Sequence, residues 1–379
     1  MEQIKRIVFV AEMRNPKTGA SSTQIMTRNL LVGFNRLADE VIFVPVVLNE
    51  SDESDIAFYY SSLCTKMYFS REKTKYKNHV VLRQFSWLYR TIFFPHNVIP
   101  DGLLDDIDKN TVLISQSPPI DAAVLCASIR QRKRDVRYVQ YWGDPLALSL
   151  ITPSEYYFKR FLLKTIEKRL HQMADSVVYG TKSLYNAESA LFPALRSKAS
   201  CCRVSYMPDA KETTMRNTPL RFGYFGNYYS KIRNIKPLYE AFLDIKDAEL
   251  VICGASDIQL DSTENITVRN RIPQSEVEEQ ESRLDVEICI LNTVGIQIPG
   301  KIFYHTKTSK KILVILDGPN KDNIKQELSE SNRFIFCENN KVDISCVIQQ
   351  IINGTIDNTD YDPEFYSPET VCKQILCLQ

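Results

Sequence analysis

The chain has 379 residues, 44% of them hydrophobic and 25% charged, and a net charge of +1. That length exceeds one ordinary core and fits about two domains of roughly 150–200 residues. The composition is too apolar for intrinsic disorder, and 12 Gly with 17 Pro exclude a fibrous protein. The charge is unevenly spread, with 28 Lys/Arg against 21 Asp/Glu in residues 1–210 and 19 against 25 in 211–379. The first half is thus the one suited to an anionic partner.

Short β-branched runs alternate with amphipathic stretches along the chain, the pattern of a parallel-sheet α/β protein. Residues 7–10 are apolar on both faces, as a buried parallel strand requires. A loop with Pro16 and Gly19 follows, then a helix opened by Ser21 and a second strand over 41–47. Residues 51–78 read as irregular and charged, and 83–100 as an aromatic-rich helix ending at Pro100-Asp101. Strands follow over 111–115, 138–141 and 176–179, with a long basic helix over 155–174. Pro208 and Pro219 bracket the expected linker.

A second α/β unit then offers strands over 220–225, 249–253, 266–269, 286–291 and 311–316, an acidic helix over 275–283, and helices near 342–353 and 368–377. The expected domains are 1–210 and 211–379, with a C-terminal helix able to cross back to the first. Open α/β sheets bind ligands at the carboxyl ends of their strands, so the expected site lies in a cleft between two such sheets.

No apolar run approaches the ~20 residues of a membrane span. The N-terminal run meets Glu12 at once and reads as a strand rather than a signal peptide. Ten cysteines without a Cys-x-x-Cys pair suggest reduced, cytoplasmic thiols. The four histidines share no metal-ligand spacing, and Walker and Asp-x-Asp motifs are missing, so no metal cofactor and no nucleic-acid partner is expected.

Three loops could meet a phosphate. Gly19 lies in Pro16-Lys17-Thr18-Gly19-Ala20-Ser21-Ser22, where an ordinary βα turn with a serine cap explains the residues as well. Gly226 and Asn227 follow the first strand of the second unit, with Lys231 and Arg233 ahead of a helix. Two solvated loop cations are the plain alternative. Pro299-Gly300-Lys301 opens a short helix, and a cation in a first turn opposes the helix dipole unless an anion sits there. On the 155–174 helix, Phe158, Phe161, Leu162, Ile166 and Met173 form a broad apolar face, with Lys159, Arg160, Lys164, Lys168 and His171 on the other. Such a helix packs on a core or lies on an anionic membrane.

Taken in order, these pieces resemble the GT-B glycosyltransferases, specifically the family-4-like enzymes that build bacterial capsule, O-antigen and other surface polysaccharides. Ser117-Pro118-Pro119, Trp142-Gly143-Asp144-Pro145, Glu167-Lys168-Arg169-Leu170 with Ala174-Asp175-Ser176-Val177-Val178, Gly226 through Pro237, Ile272-Pro273 and Pro299-Gly300-Lys301-Ile302-Phe303 all look like family landmarks. The resemblance implies two Rossmann-like domains, acceptor-binding then donor-binding, and metal-independent, retaining transfer from a nucleoside-diphosphate sugar to a saccharide or lipid-linked saccharide. It implies catalytic roles for Asp144, Arg233 and Lys301. The implied donor contacts are Gly19, Gly226, Asn227, Lys231, Arg233, Ile272, Pro299, Gly300, Lys301 and Tyr304.

Three positions depart from the family pattern. Asn227 stands where an arginine is usual, and Ile296 and Tyr304 stand where two glutamates are. They leave room for a GT-B subunit that has lost turnover, and the fold also houses nucleotide-sugar epimerases. The basic first half implies contact with the inner face of the cell membrane.

Overall fold

The computed structural model describes residues 4–18, 21–71, 88–89, 91–94, 99–149, 157–213, 217–356 and 360–378. They form two compact units, one of residues 1–204 with 368–379 and the other of residues 205–367. The described residues of 208–219 are tied to the second unit: Lys307 Nζ donates to the Pro208 carbonyl at 3.1 Å and Asn217 Nδ2 to Asp285 at 2.7 Å.

The first unit is built on parallel strands β1 (Ile4–Met13), β2 (Ala38–Val47), β3 (Lys66–Met67), β4 (Ser70–Arg71), β5 (Thr111–Ser117), β6 (Arg137–Trp142), β7 (Ser176–Tyr179) and β8 (Ala199–Cys201). Their order is β3-β2-β1-β5-β6-β7-β8, with β4 also on β2. Ile7, Val8, Phe9 and Val10 are wholly buried, because helices cover both faces of a sheet whose crossovers are helical. The Ser22–Leu37 helix begins on a capping box, in which Ser21 and Gln24 each bond the other's backbone N–H. Residues 53–60, expected to be irregular, form a helix that buries Ile56 and Tyr60.

The C-terminal helix Pro368–Ile375 packs on Ser22–Leu37, burying Val371, Cys372 and Ile375 completely. Contact is closest at Gly33, where a Cβ would collide with the Pro368 carbonyl and the Cys372 thiol. Gly33→Ala gains about 1 kcal/mol of helix propensity but overpacks against backbone, which costs about 1–3 kcal/mol. We expect a lower melting temperature for the first unit; an unchanged one would mean that the two helices slide apart freely.

The second unit runs through β9 (Leu220–Phe225), β10 (Ala248–Cys253), β11 (Ile266–Arg269), β12 (Val286–Ile290), β13 (Lys311–Leu316) and β14 (Ile335–Glu338), in the order β11-β10-β9-β12-β13-β14. All pairings are parallel. Phe222, Phe242, Leu238, Ile252, Leu313, Ile344 and Ile348 are among the fully enclosed residues of the core. In both units the strand order reverses beside the first strand, between β1 and β5 and between β9 and β12. A doubly wound sheet opens its crevice at such a reversal.

None of the ten cysteines forms a disulfide. No described helix is long and apolar enough to cross a membrane.

Candidate functional site

The second unit gathers most of the expected site residues at the β9/β12 reversal. The chain leaving β9 turns at Gly226, close under the loop after β10; a Cβ on Gly254 would collide with the Gly226 carbonyl. The missing Cβ of Gly254 is therefore what lets these loops touch. Asn227 is exposed, and its side-chain oxygen accepts from the Ala255 N–H at 3.2 Å. Its carbonyl accepts from Tyr224 Oη at 3.1 Å and from Arg233 Nη1 at 3.2 Å. Arg233 Nε donates to Asn292 Oδ1 at 3.0 Å, and Asn292 Nδ2 donates to the Gln297 carbonyl at 3.2 Å. Arg233 is thus clamped between the loops that follow the two strands flanking the reversal. Lys231 lies exposed on the same loop, and its carbonyl accepts from Thr293 Oγ1 at 3.1 Å.

Pro299 and Gly300 lead into the one-turn helix Lys301–Tyr304. Lys301 was expected to oppose the helix dipole unless a bound anion cancelled the penalty. Glu281 lies 3.5 Å from its Nζ and offsets part of that charge from within the protein. Glu281 is itself buried, with His305 Nε2 3.3 Å from its other oxygen. Burial works against its charge, but Lys301 and then His305 outweigh burial and hold the carboxyl down at about 2. Neighbouring Glu287 goes the other way: burial, then the charge of Glu281, push it up to about 7. Tyr304 is buried, its hydroxyl 3.3 Å from where a Cβ on Gly300 would stand, and Ile272 packs on Phe225, Val251 and Val277.

Glu281 and Asn292, which fix the two cations, were not read from the sequence. Glu281 sat unremarked among the acids of the Gln274–Glu281 helix, yet it lies four residues after buried Val277 and so on the same face.

In the first unit Asp144 is exposed on the loop that follows β6. That loop is pinned from below by Glu167, which accepts the N–H groups of Leu146 (3.0 Å) and Ala147 (2.9 Å). Beside it, Gln140 Oε1 accepts from Trp142 Nε1 at 3.1 Å and pairs with His171 Nδ1 at 2.9 Å, while Tyr179 Oη meets His171 Nε2 at 3.2 Å. His171 was expected on the solvent face of its helix; it is buried, and burial followed by Lys198 lowers it to about 3, so it is neutral. Glu188 is wholly buried and neither carboxyl oxygen has a hydrogen-bond partner among the described residues. Burial, then Glu167, push it up to about 9. Gly19 lies outside the described residues.

Two triads bring three metal-capable atoms within 4.8 Å: Glu167, His171 and Glu188, and Glu281, Glu287 and His305. In the second, Lys301 and Lys310 already act on the carboxylates, and a divalent ion would add to a balanced charge. In the first, backbone amides and Tyr179 occupy Glu167 and His171.

No family model matches the chain, and no curated protein matches it in sequence. Solved structures do match in fold. TarM aligns over 100% of this chain and 99% of its own at a TM-score of 0.60 and 9% identity. HepE of Anabaena, solved with UDP and glucose, aligns over 99% and 97% at 0.55 and 10% identity. A UDP-N-acetylglucosamine 2-epimerase aligns over 99% and 95% at 0.55 and 9% identity. With two parallel sheets, each reversing beside its first strand, and these neighbours matched end to end, the chain has the two-domain, Rossmann-like GT-B fold of the glycosyltransferases it resembles.

Proposed function

We propose that the protein transfers a sugar from a nucleoside-diphosphate sugar to a saccharide or lipid-linked saccharide, with retention and without a metal, in surface polysaccharide biosynthesis. One observation carries the reading most: Arg233 lies on the connection that leaves β9 and Lys301 on the connection that leaves β12, the two strands flanking the strand-order reversal. As the glycosidic bond breaks, negative charge grows on the leaving diphosphate. Fixed cations stabilise that charge more than they stabilise the bound donor. Arg233 suits this because Asn227 and Asn292 hold its guanidinium in place before the donor arrives. Lys301 keeps about a third of its side chain exposed (37%) while Glu281 fixes it from behind. Asp144, on its pinned loop, orients the acceptor hydroxyl or the sugar.

The test is a thermal-shift screen against UDP-, GDP-, dTDP- and CMP-sugars. A donor at ~100 times its dissociation constant stabilises by about 2.7 kcal/mol, a few degrees in melting temperature. One nucleotide should do this and the others should not. If none does, the buried Tyr304 and the uncharged Asn227 and Ile296 favour a GT-B subunit without turnover. Conversion of a donor with no acceptor present would instead indicate an epimerase, the activity named for one structural neighbour.

A further inference from the structure

For the 155–174 helix two readings of the face with Phe158 and Phe161 stood open, packing on the core or lying on an anionic membrane; neither ring packs on the core. Leu163, Ile166, Glu167, Leu170 and His171 are the residues the helix buries, while Tyr157, Phe158 and Phe161 are 81%, 80% and 68% exposed. The outer face also carries exposed Lys164, Lys168 and Arg169. The helix has one acid, Glu167, and that one is buried beneath the Asp144 loop. The exposed face is therefore aromatic and purely cationic.

The patch continues off the helix. Arg169 donates to the Ile92 carbonyl and lies 5.4 Å from the centroid of the Phe94 ring, which brings residues 91–94 alongside. Tyr89 and Phe93 pack on each other at 4.9 Å and are 55% and 61% exposed. A solvated helix face has no need of five large exposed rings between its helix and its neighbour, and surface patches of this kind mark interaction sites. Aromatic rings amid lysines fit one solvent boundary: rings settle at the level of the lipid headgroups while lysines meet lipid phosphates.

We propose that this face docks on an anionic lipid bilayer, with Phe158 and Phe161 inserted among the headgroups and Lys164, Lys168 and Arg169 against their phosphates. The docking is independent of the donor reading, since it uses the other unit and none of its cations.

The test is co-sedimentation of the full chain with vesicles of phosphatidylglycerol mixed with phosphatidylcholine, beside vesicles of phosphatidylcholine alone. The protein should pellet with the mixed vesicles, stay in solution with the neutral ones, and be released in part by high salt. Each cation near such a surface contributes roughly fivefold in partitioning, so K164E/K168E should lower it by about thirtyfold or more. F158S/F161S should lower it at least about tenfold by removing the inserted area, and the remainder should be fully salt-sensitive. These side chains are exposed, so both variants should melt with the wild type. Equal pelleting with neutral vesicles, no pelleting with either, or wild-type partitioning by F158S/F161S would overturn the proposal. If F158S/F161S instead turns a dimer into a monomer in sedimentation equilibrium, with vesicle binding unchanged, the face belongs to a second copy of the chain.

Discussion

Arg233→Ala is expected to reduce the rate of sugar transfer by about 10²–10³, the usual cost of losing one preorganised donor to a developing negative charge. The side chain is half-buried, and its Nε and Nη1 are both engaged by oxygen atoms of Asn292 and Asn227. Alanine therefore removes a positioned charge and takes from Asn292 Oδ1 its donor, while the Asn227 carbonyl keeps Tyr224 Oη. Arg233→Lys should recover little, because one ammonium cannot reach both oxygens and a phosphate together. Lys301→Ala should fall in the same range for a different reason. It strips Glu281 of its main counter-charge as well as removing the cation. Steady-state kinetics with the donor found in the thermal screen decides the matter: kcat should drop far more than KM rises. A variant that keeps wild-type kcat would remove Arg233 from the chemistry.

Glu188→Gln should reverse the effect of alkaline pH on the first unit. The Glu188 carboxyl is pushed up to about 9 by burial and by Glu167, against an ordinary value near 4.3 in the unfolded chain. Between those two values the folded state holds a proton that the unfolded chain has released, so stability falls as pH rises. Each pH unit of that window is worth about 1.4 kcal/mol. Glutamine keeps the volume and cannot ionise. The variant should match or fall slightly below the wild type at pH 5, since its amide lacks a partner, and should exceed it by several degrees at pH 8.5. Melting curves that stay parallel from pH 5 to pH 9 would show that Glu188 is not the titrating group.

The helix carrying Glu167 and His171 also shows where sequence reading succeeds and where it stops. Strands such as Ser176–Tyr179, Leu220–Phe225, Ile266–Arg269 and Lys311–Leu316 were legible to the residue, because β-branched runs bounded by charge or glycine have few other uses. The edge strand Ile335–Glu338 was missed; Phe336 and Glu338 are only half-buried, and four residues carry little periodicity. On the Tyr157–Met173 helix the expected apolar face was drawn too broadly. At 3.6 residues per turn Phe161 lies about 140° around the helix from Ile166, so both cannot face one core. His171 was grouped with the lysines by its charge, although it follows Glu167 at a one-turn spacing on the buried side. The site divides the same way. Gly226, Arg233, Pro299, Gly300 and Lys301 could be named from local sequence and a family likeness. The partners that orient them could not, because Arg233 with Asn292 and Lys301 with Glu281 are contacts across 59 and 20 positions that only the folded sheet brings together.

The helix Pro368–Ile375 gives the first unit a late start. Its apolar face fills against Leu30 and Gly33 of a helix made near the beginning of the chain, and the whole second unit is synthesised in between. On the ribosome, residues 1–204 emerge with that face uncovered, while residues 205–367 can fold as they appear. The first unit is thus completed only after the second has been made. A chain stopped before residue 368 would carry a complete second unit beside a first unit with bare apolar surface, the condition in which nascent proteins recruit chaperones or aggregate.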